Sequence, residues 1–187
     1  MPDLYFVEQC APTLAGIKTG SLFIIKTESK RDSINELTTL NKLLSKKGLR
    51  AIPLKMTDDY TLIYVYRPDF LKRDLSSPEA RNILSELGYT CESVPKSVVE
   101  LARRFVDAKS FPHEIGLFLG YPPFDVKCFM THPDEGVKCV GTWKVYGDKK
   151  KAENTFFKYK KCTEVYKKLV SEGRPLTKMI VETSKSA

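Results

Sequence analysis

Histidine is nearly missing from this 187-residue chain: only His113 and His132 occur. A metal centre would therefore have to lean on cysteine, and the cysteines offer it no pattern. Cys10, Cys91, Cys128, Cys139 and Cys162 are odd in number and scattered, with no Cys-x-x-Cys, so neither a paired zinc site nor a disulfide framework is written here. They read as reduced, mostly buried thiols of a cytoplasmic protein. His113-Glu114 is not His-Glu-x-x-His, because Leu117 stands at the last place, and His132 with Cys128 and Cys139 lacks a fourth ligand. The expected metal content is none, and no cofactor is named. Long apolar runs are missing too: no window approaches the ~20 residues of a membrane helix. Asp3 and Glu8 interrupt any leader-like apolar stretch at the start. The expected setting is cytoplasmic, without a membrane partner.

A P-loop is also lacking. Gly16-Ile-Lys-Thr-Gly-Ser21 has the right residue types but puts its lysine before the second glycine rather than after it. The segment still suits a turn whose N–H groups bind an anion, with Lys18 nearby.

What is present is an ordinary globular composition, 42% hydrophobic and 29% charged, in a chain long enough to bury a core without staples. The net charge of +8 is unevenly placed. Residues 137–187 hold 13 Lys/Arg against 5 Asp/Glu, while the other 136 residues carry 18 of each sign. The basic excess lies wholly in the last quarter, which suggests an anionic small molecule, an acidic partner or nucleic acid; a solvated lysine-rich helix gives the same count.

Ser21–Lys26 is a compact apolar run and reads as a buried strand. Ser33 and Glu36 suggest a capping box for a helix carrying Ile34, Leu37, Leu40, Leu43 and Leu44, stopped by Gly48. Leu49–Met56 and Tyr60–Arg67 read as strands joined at Thr57–Asp59. In the second, Leu62, Tyr64 and Tyr66 share one face and Ile63 and Val65 the other, as a central strand requires. Ser77-Pro78 starts another helix, and Pro95–Asp107 repeats the pattern. Residues 111–130 specify two short helices with Gly120 at the turn. Val137–Tyr146 is expected as a strand, Asp148 caps a long helix reaching about Ser171, and Leu176–Glu182 is a candidate last strand. Before these, Asp3–Cys10 suits a short helix that Pro12 stops or restarts. The expected fold is α/β, with α+β as the alternative: a single domain over residues 1–187 with a mixed sheet of about five strands and about six helices. Strand order and oligomeric state are open.

Three groupings could carry chemistry. Lys18, Arg67 and Lys144 with the aromatics Tyr66, Trp143 and Tyr146 fall at or near strand ends, where sheets open ligand crevices. With His113 they form the expected site for an anionic ligand, Arg supplying a planar donor fork and the rings a stacking face. The alternative is nucleic-acid binding, with residues 114–129 as a helix-turn-helix-like hairpin backed by the basic C-terminal quarter. Its second helix begins Pro-Pro-Phe-Asp-Val-Lys, poor in side chains that read base edges. Third, Cys10, His113 and Glu114 are the residue types of a Cys/His enzyme, so whether a reaction is catalysed stays open.

Phe111-Pro-His-Glu-Ile-Gly-Leu-Phe-Leu-Gly-Tyr-Pro122 and Trp143-Lys-Val-Tyr-Gly147, with Cys10–Lys18 and Tyr64–Pro68, resemble an uncharacterised bacterial family, a domain of unknown function found largely in anaerobic Firmicutes. The resemblance covers nearly the whole chain. It implies a stand-alone cytoplasmic bacterial protein, and it brings no catalytic residue with it.

Overall fold

The alternation in Tyr60–Tyr66 sets the architecture. In the computed structural model, which describes residues 1–26, 29–107 and 110–182, three strands form an antiparallel sheet: β1 (Gly20–Lys26), β2 (Arg50–Met56) and β3 (Tyr60–Tyr66). Their order is β1-β3-β2, so β3 is central. Gly20 faces Tyr66 across one ladder and Arg50 faces Tyr66 across the other. The second ladder slips between Pro53 and Lys55. A proline has no N–H to give a ladder, and a bulge on an edge strand is where one is tolerated.

Eight helices surround the sheet among the described residues: α1 (Asp3–Leu14), α2 (Lys30–Leu44), α3 (Pro68–Leu75), α4 (Pro78–Glu86), α5 (Val94–Asp107), α6 (Ile115–Phe118), α7 (Pro123–Thr131) and α8 (Lys149–Ser171). The period-2 pattern of β3 divides them between two cores. Leu62, Tyr64 and Tyr66 pack with Leu71, Leu84, Leu101 and Phe118 from α3 to α6. Ile63 and Val65 pack on the other face with Phe6, Leu14, Leu37, Leu44 and Tyr166 from α1, α2 and α8. Helices and strands thus mix in one compact body, as expected.

Several local expectations change. The five strands do not form one mixed sheet: β4 (Cys139–Val140) and β5 (Lys144–Val145) make a separate two-stranded hairpin where a single strand was expected. The Leu176–Glu182 segment forms a 3₁₀ turn at Leu176–Lys178 instead of a strand. Helix α2 starts earlier than its apparent capping box: Ser29 accepts from the Asp32 N–H, while Ser33 is buried and accepts from the Thr61 hydroxyl at 3.2 Å. Pro12 lies inside α1, costing only the bond its missing N–H would make near the helix end. Pro68, read as a strand terminator, is also the first residue of α3. Ser77 and Asp148 cap α4 and α8 as expected, accepting from Ala80 and Lys151 N–H groups.

Candidate functional site

Two glycines bring the site together. Gly120 adopts φ +79°, a left-handed turn, and a Cβ there would fall 2.7 Å from the Thr19 hydroxyl. Gly116 lets α6 and α7 touch, since a Cβ would meet Val126 at 2.7 Å. The Tyr121 N–H then bonds to the Gly116 carbonyl at 2.9 Å, and the Tyr121 ring is delivered to the β4–β5 hairpin. There it stacks on Trp143, centroids 4.8 Å apart and planes 28° apart. Phe156 from α8 meets Trp143 edge-on at 4.6 Å.

Asp125 anchors this cluster. Buried in the first turn of α7, its Oδ1 accepts from the backbone N–H groups of Tyr146 at 2.9 Å and Gly147 at 2.8 Å. Its Oδ2 accepts from Trp143 Nε1 at 2.7 Å. Three donors satisfy the carboxylate and rivet hairpin to helix. In the sequence the one local signal for Asp125 is an acid in the first turn of a helix.

A cleft of about 600 Å³ opens beside Trp143, between α3, α7 and the start of α8. Tyr121 and Trp143 form its apolar wall; Arg73, Lys151 and Tyr159 stand around it. Asp74, which also lines it, is held by the Thr19 hydroxyl and by Arg73 Nε at 2.9 Å. Asp148 caps α8. The carboxylates of the cleft are thus engaged, while Lys151 Nζ has no carboxylate partner among the described residues. Lys18 lies just behind: its Nζ is 5.5 Å from the Tyr121 ring centre and 5.9 Å from that of Tyr159. Burial lowers this ammonium from its usual value to about 8, the nearby Cys10 partly opposing the shift.

The predicted site residues separate into three places. His113, Trp143 and Lys144 line a second cavity of about 370 Å³, with Tyr121, Ile115 and Val126. His113 is exposed and packs edge-on against Phe129 at 5.0 Å. Lys144 Nζ is already spent on the Pro133 carbonyl and Asp134, both at 3.0 Å. Tyr146 is buried and donates to the Pro133 carbonyl at 2.8 Å. Lys18 reaches this group only through Tyr121. Tyr66 and Arg67 do not join it. Tyr66 is a core ring stacked on Tyr64 at 4.8 Å. Arg67, 0% exposed, donates Nε to the Thr13 carbonyl at 2.7 Å and Nη2 to those of Leu14 and Val181 at 2.7 and 2.8 Å. It closes the C-terminal end of α1, where carbonyls lack helical partners.

Cys10 and His113 are not brought together. Cys10 is fully buried in the core under α1, and burial pushes its thiol well up, away from a thiolate. His113 stands beside the residues of the opposite core. Glu114 is a structural acid: buried, it accepts from the Tyr89 hydroxyl at 3.1 Å and lies 3.6 Å from Arg104. The expected hairpin is present as α6 and α7 with Gly120 at the turn. Helix α6 is one turn long, and at the start of α7 Asp125 is turned to the β4–β5 hairpin while Phe124 stays exposed. Among the described residues no three His, Cys, Asp or Glu side chains stand close enough to hold a metal ion, and no helix is long and apolar enough to cross a membrane.

A family model described as Protein of unknown function (DUF3793) matches residues 6–180. The chain belongs to that family. No curated protein and no solved structure matches it.

Proposed function

We propose, for a chain whose family has no established activity, that it binds a small anionic molecule carrying a flat ring, in the cleft between Trp143 and the start of α8. The observation that carries this reading is the Tyr121–Trp143 ring wall with the Lys151 ammonium beside it. Asp74, Asp125 and Asp148 are occupied by protein donors, while Lys151 and the neighbouring Lys18 lack carboxylate partners among the described residues. A volume of about 600 Å³ suits a small ligand. The Tyr121 and Trp143 rings supply a stacking face, and the first turn of α8 adds a favourable dipole for negative charge.

Trp143 is the sole tryptophan but borders both cavities, and Lys151, which lines only the larger cleft, assigns a fluorescence change to that cleft. Adenosine 5′-monophosphate is the probe for a ring-bearing phosphate and inorganic phosphate its ringless control. The expected result is saturable quenching of Trp143 by the nucleotide, weakened about tenfold by Lys151→Glu, a loss of about 1.4 kcal/mol. Unchanged emission with adenosine monophosphate at about 1 mM, with benzoate equally silent, overturns the reading.

A further inference from the structure

The loop after α1 carries an amine without a counter-ion. Ile17 and Lys18 both donate their backbone N–H groups to the Pro12 carbonyl, at 3.0 and 3.1 Å, which gives the Lys18 side chain a fixed origin. Its Nζ ends beside the Tyr121 and Tyr159 rings, and nothing among the described residues accepts a hydrogen bond from it. The groups around it leave it uncompensated. Glu8 of α1 is taken by Lys167 at 2.5 Å. Asp74 of α3 is held by Thr19 and Arg73. Burial pushes the Cys10 thiol and the Tyr121 hydroxyl well up, and the Tyr159 hydroxyl to about 12, so none of the three supplies negative charge near neutrality. Lys160, on α8, adds only like charge.

This amine is reachable. An opening of about 470 Å³, bounded by Glu8, Ser21, Phe156, Tyr159 and Thr163, has Lys18 in its wall. It shares Tyr159 with the larger cleft but is otherwise separate. A purely structural lysine would turn its charge to a carboxylate, to carbonyls or to open water, as Arg67 and Lys144 do with their acceptors. Lys18 has neither carboxylate nor carbonyl: its Nζ lies among rings at the edge of a cavity, where burial lowers its ammonium to about 8.

We propose that Lys18 is an imine-forming lysine that captures the aldehyde or ketone group of a small molecule entering this opening. The Nζ lone pair forms the C–N bond as the carbonyl π pair moves to oxygen. A proton passes from nitrogen to that oxygen and gives a carbinolamine. The nitrogen lone pair then expels the oxygen, which leaves as water with one further proton, and a C=N bond remains once nitrogen releases its last proton to solvent. Amine and carbonyl yield imine and water, with no oxidant or reductant. Burial favours the step by destabilising the ammonium, and a half-neutral amine at about pH 8 is the state that results.

The test uses glyoxylate, a small anionic aldehyde, with cyanoborohydride to reduce any imine to a stable carboxymethyl-lysine, followed by peptide mapping. The expected result at pH 8 is labelling of Lys18 about tenfold faster than of the exposed Lys158 and Lys168, and loss of that fast phase in Lys18→Arg. Labelling of Lys18 no faster than Lys158 overturns the proposal, a result read on the unmodified chain and independent of how any variant folds. Quenching of Trp143 by adenosine monophosphate, measured on the same sample, keeps the two readings apart. Quenching without fast Lys18 labelling removes the imine and leaves the cleft; fast labelling without quenching does the reverse.

Discussion

Two cations flank the end of α1, and they have opposite fates. Arg67 enters from the end of β3 and is sealed inside, with three backbone carbonyls around its guanidinium; a Cβ on Gly16 would lie only 3.7 Å from its Cζ. Lys18, two residues beyond Gly16, has no acceptor among the described residues and lies among rings beside an opening. The planar, always charged fork of arginine suits the first place, because it reaches several carbonyls at once. Lysine suits the second because it can shed its proton when buried. One cation closes the fold; the other is left with its chemistry unspent.

The largest expected effect comes from breaking the sealed end. Arg67→Met keeps the apolar stem but leaves the carbonyls of Thr13, Leu14 and Val181 without donors. A loss of about 3–5 kcal/mol is expected in urea unfolding; a loss under about 1 kcal/mol would make Arg67 incidental. Next is the rivet of the aromatic cleft. Asp125→Ala should cost about 2–4 kcal/mol and shift Trp143 emission to the red as the hairpin loosens from α7. An unshifted spectrum would show that the ring stack alone holds Trp143.

Tyr166→Phe removes one neutral bond to the Met179 carbonyl, 2.7 Å long, and is expected to cost about 1 kcal/mol. Lys18→Met runs in the opposite direction to these losses. Removing an ammonium whose folded value lies well below its unfolded one should stabilise the chain at pH 7 by about 1–3 kcal/mol. Its pH signature is sharper. The folded ammonium titrates near 8 and the unfolded one near 10.5. Between those values the unfolded chain binds more protons, so stability attributable to Lys18 rises with pH through this window, and its penalty is complete below it. Subtracting the Lys18→Met urea curves from wild type at pH 7.5, 8.5 and 9.5 isolates that slope. A flat difference would mean the amine is solvated and would erase its contrast with Arg67.

Much of the frame was readable along the chain. Both apolar faces of β3, the caps Ser77 and Asp148, and the turn at Gly120 obey local rules, so spacing and residue type sufficed. The misses have local causes too. Pro68 ends a strand and opens a helix with the same fixed φ, so α3 was hidden behind a stop signal. Val137–Tyr146 has strand-forming residues on both sides of Gly141, and it folds back there, with the Phe156 ring so close that a Cβ on that glycine would not fit. Of the expected ligand residues, Trp143, Lys144 and His113 meet around one cavity, while Arg67 and Tyr66 turn inward. Tyr121 and Asp125 went unchosen, although one carries the ring stack and the other holds it.

Composition and periodicity by themselves determined the three strands of the main sheet, the helices that carry clear caps, the two apolar faces of β3, and that the positive charge gathers toward the C-terminus. They act through neighbours a few residues apart, and such distances are written in the order of the chain. Whether a cation is sealed or left open was decided only when remote segments met: Thr13, Val181 and Arg67 at one end of the sheet, Lys18, Tyr121 and Tyr159 at the other side of the same loop. Burial and the supply of acceptors set the state of a charged group, and both are properties of the packed interior.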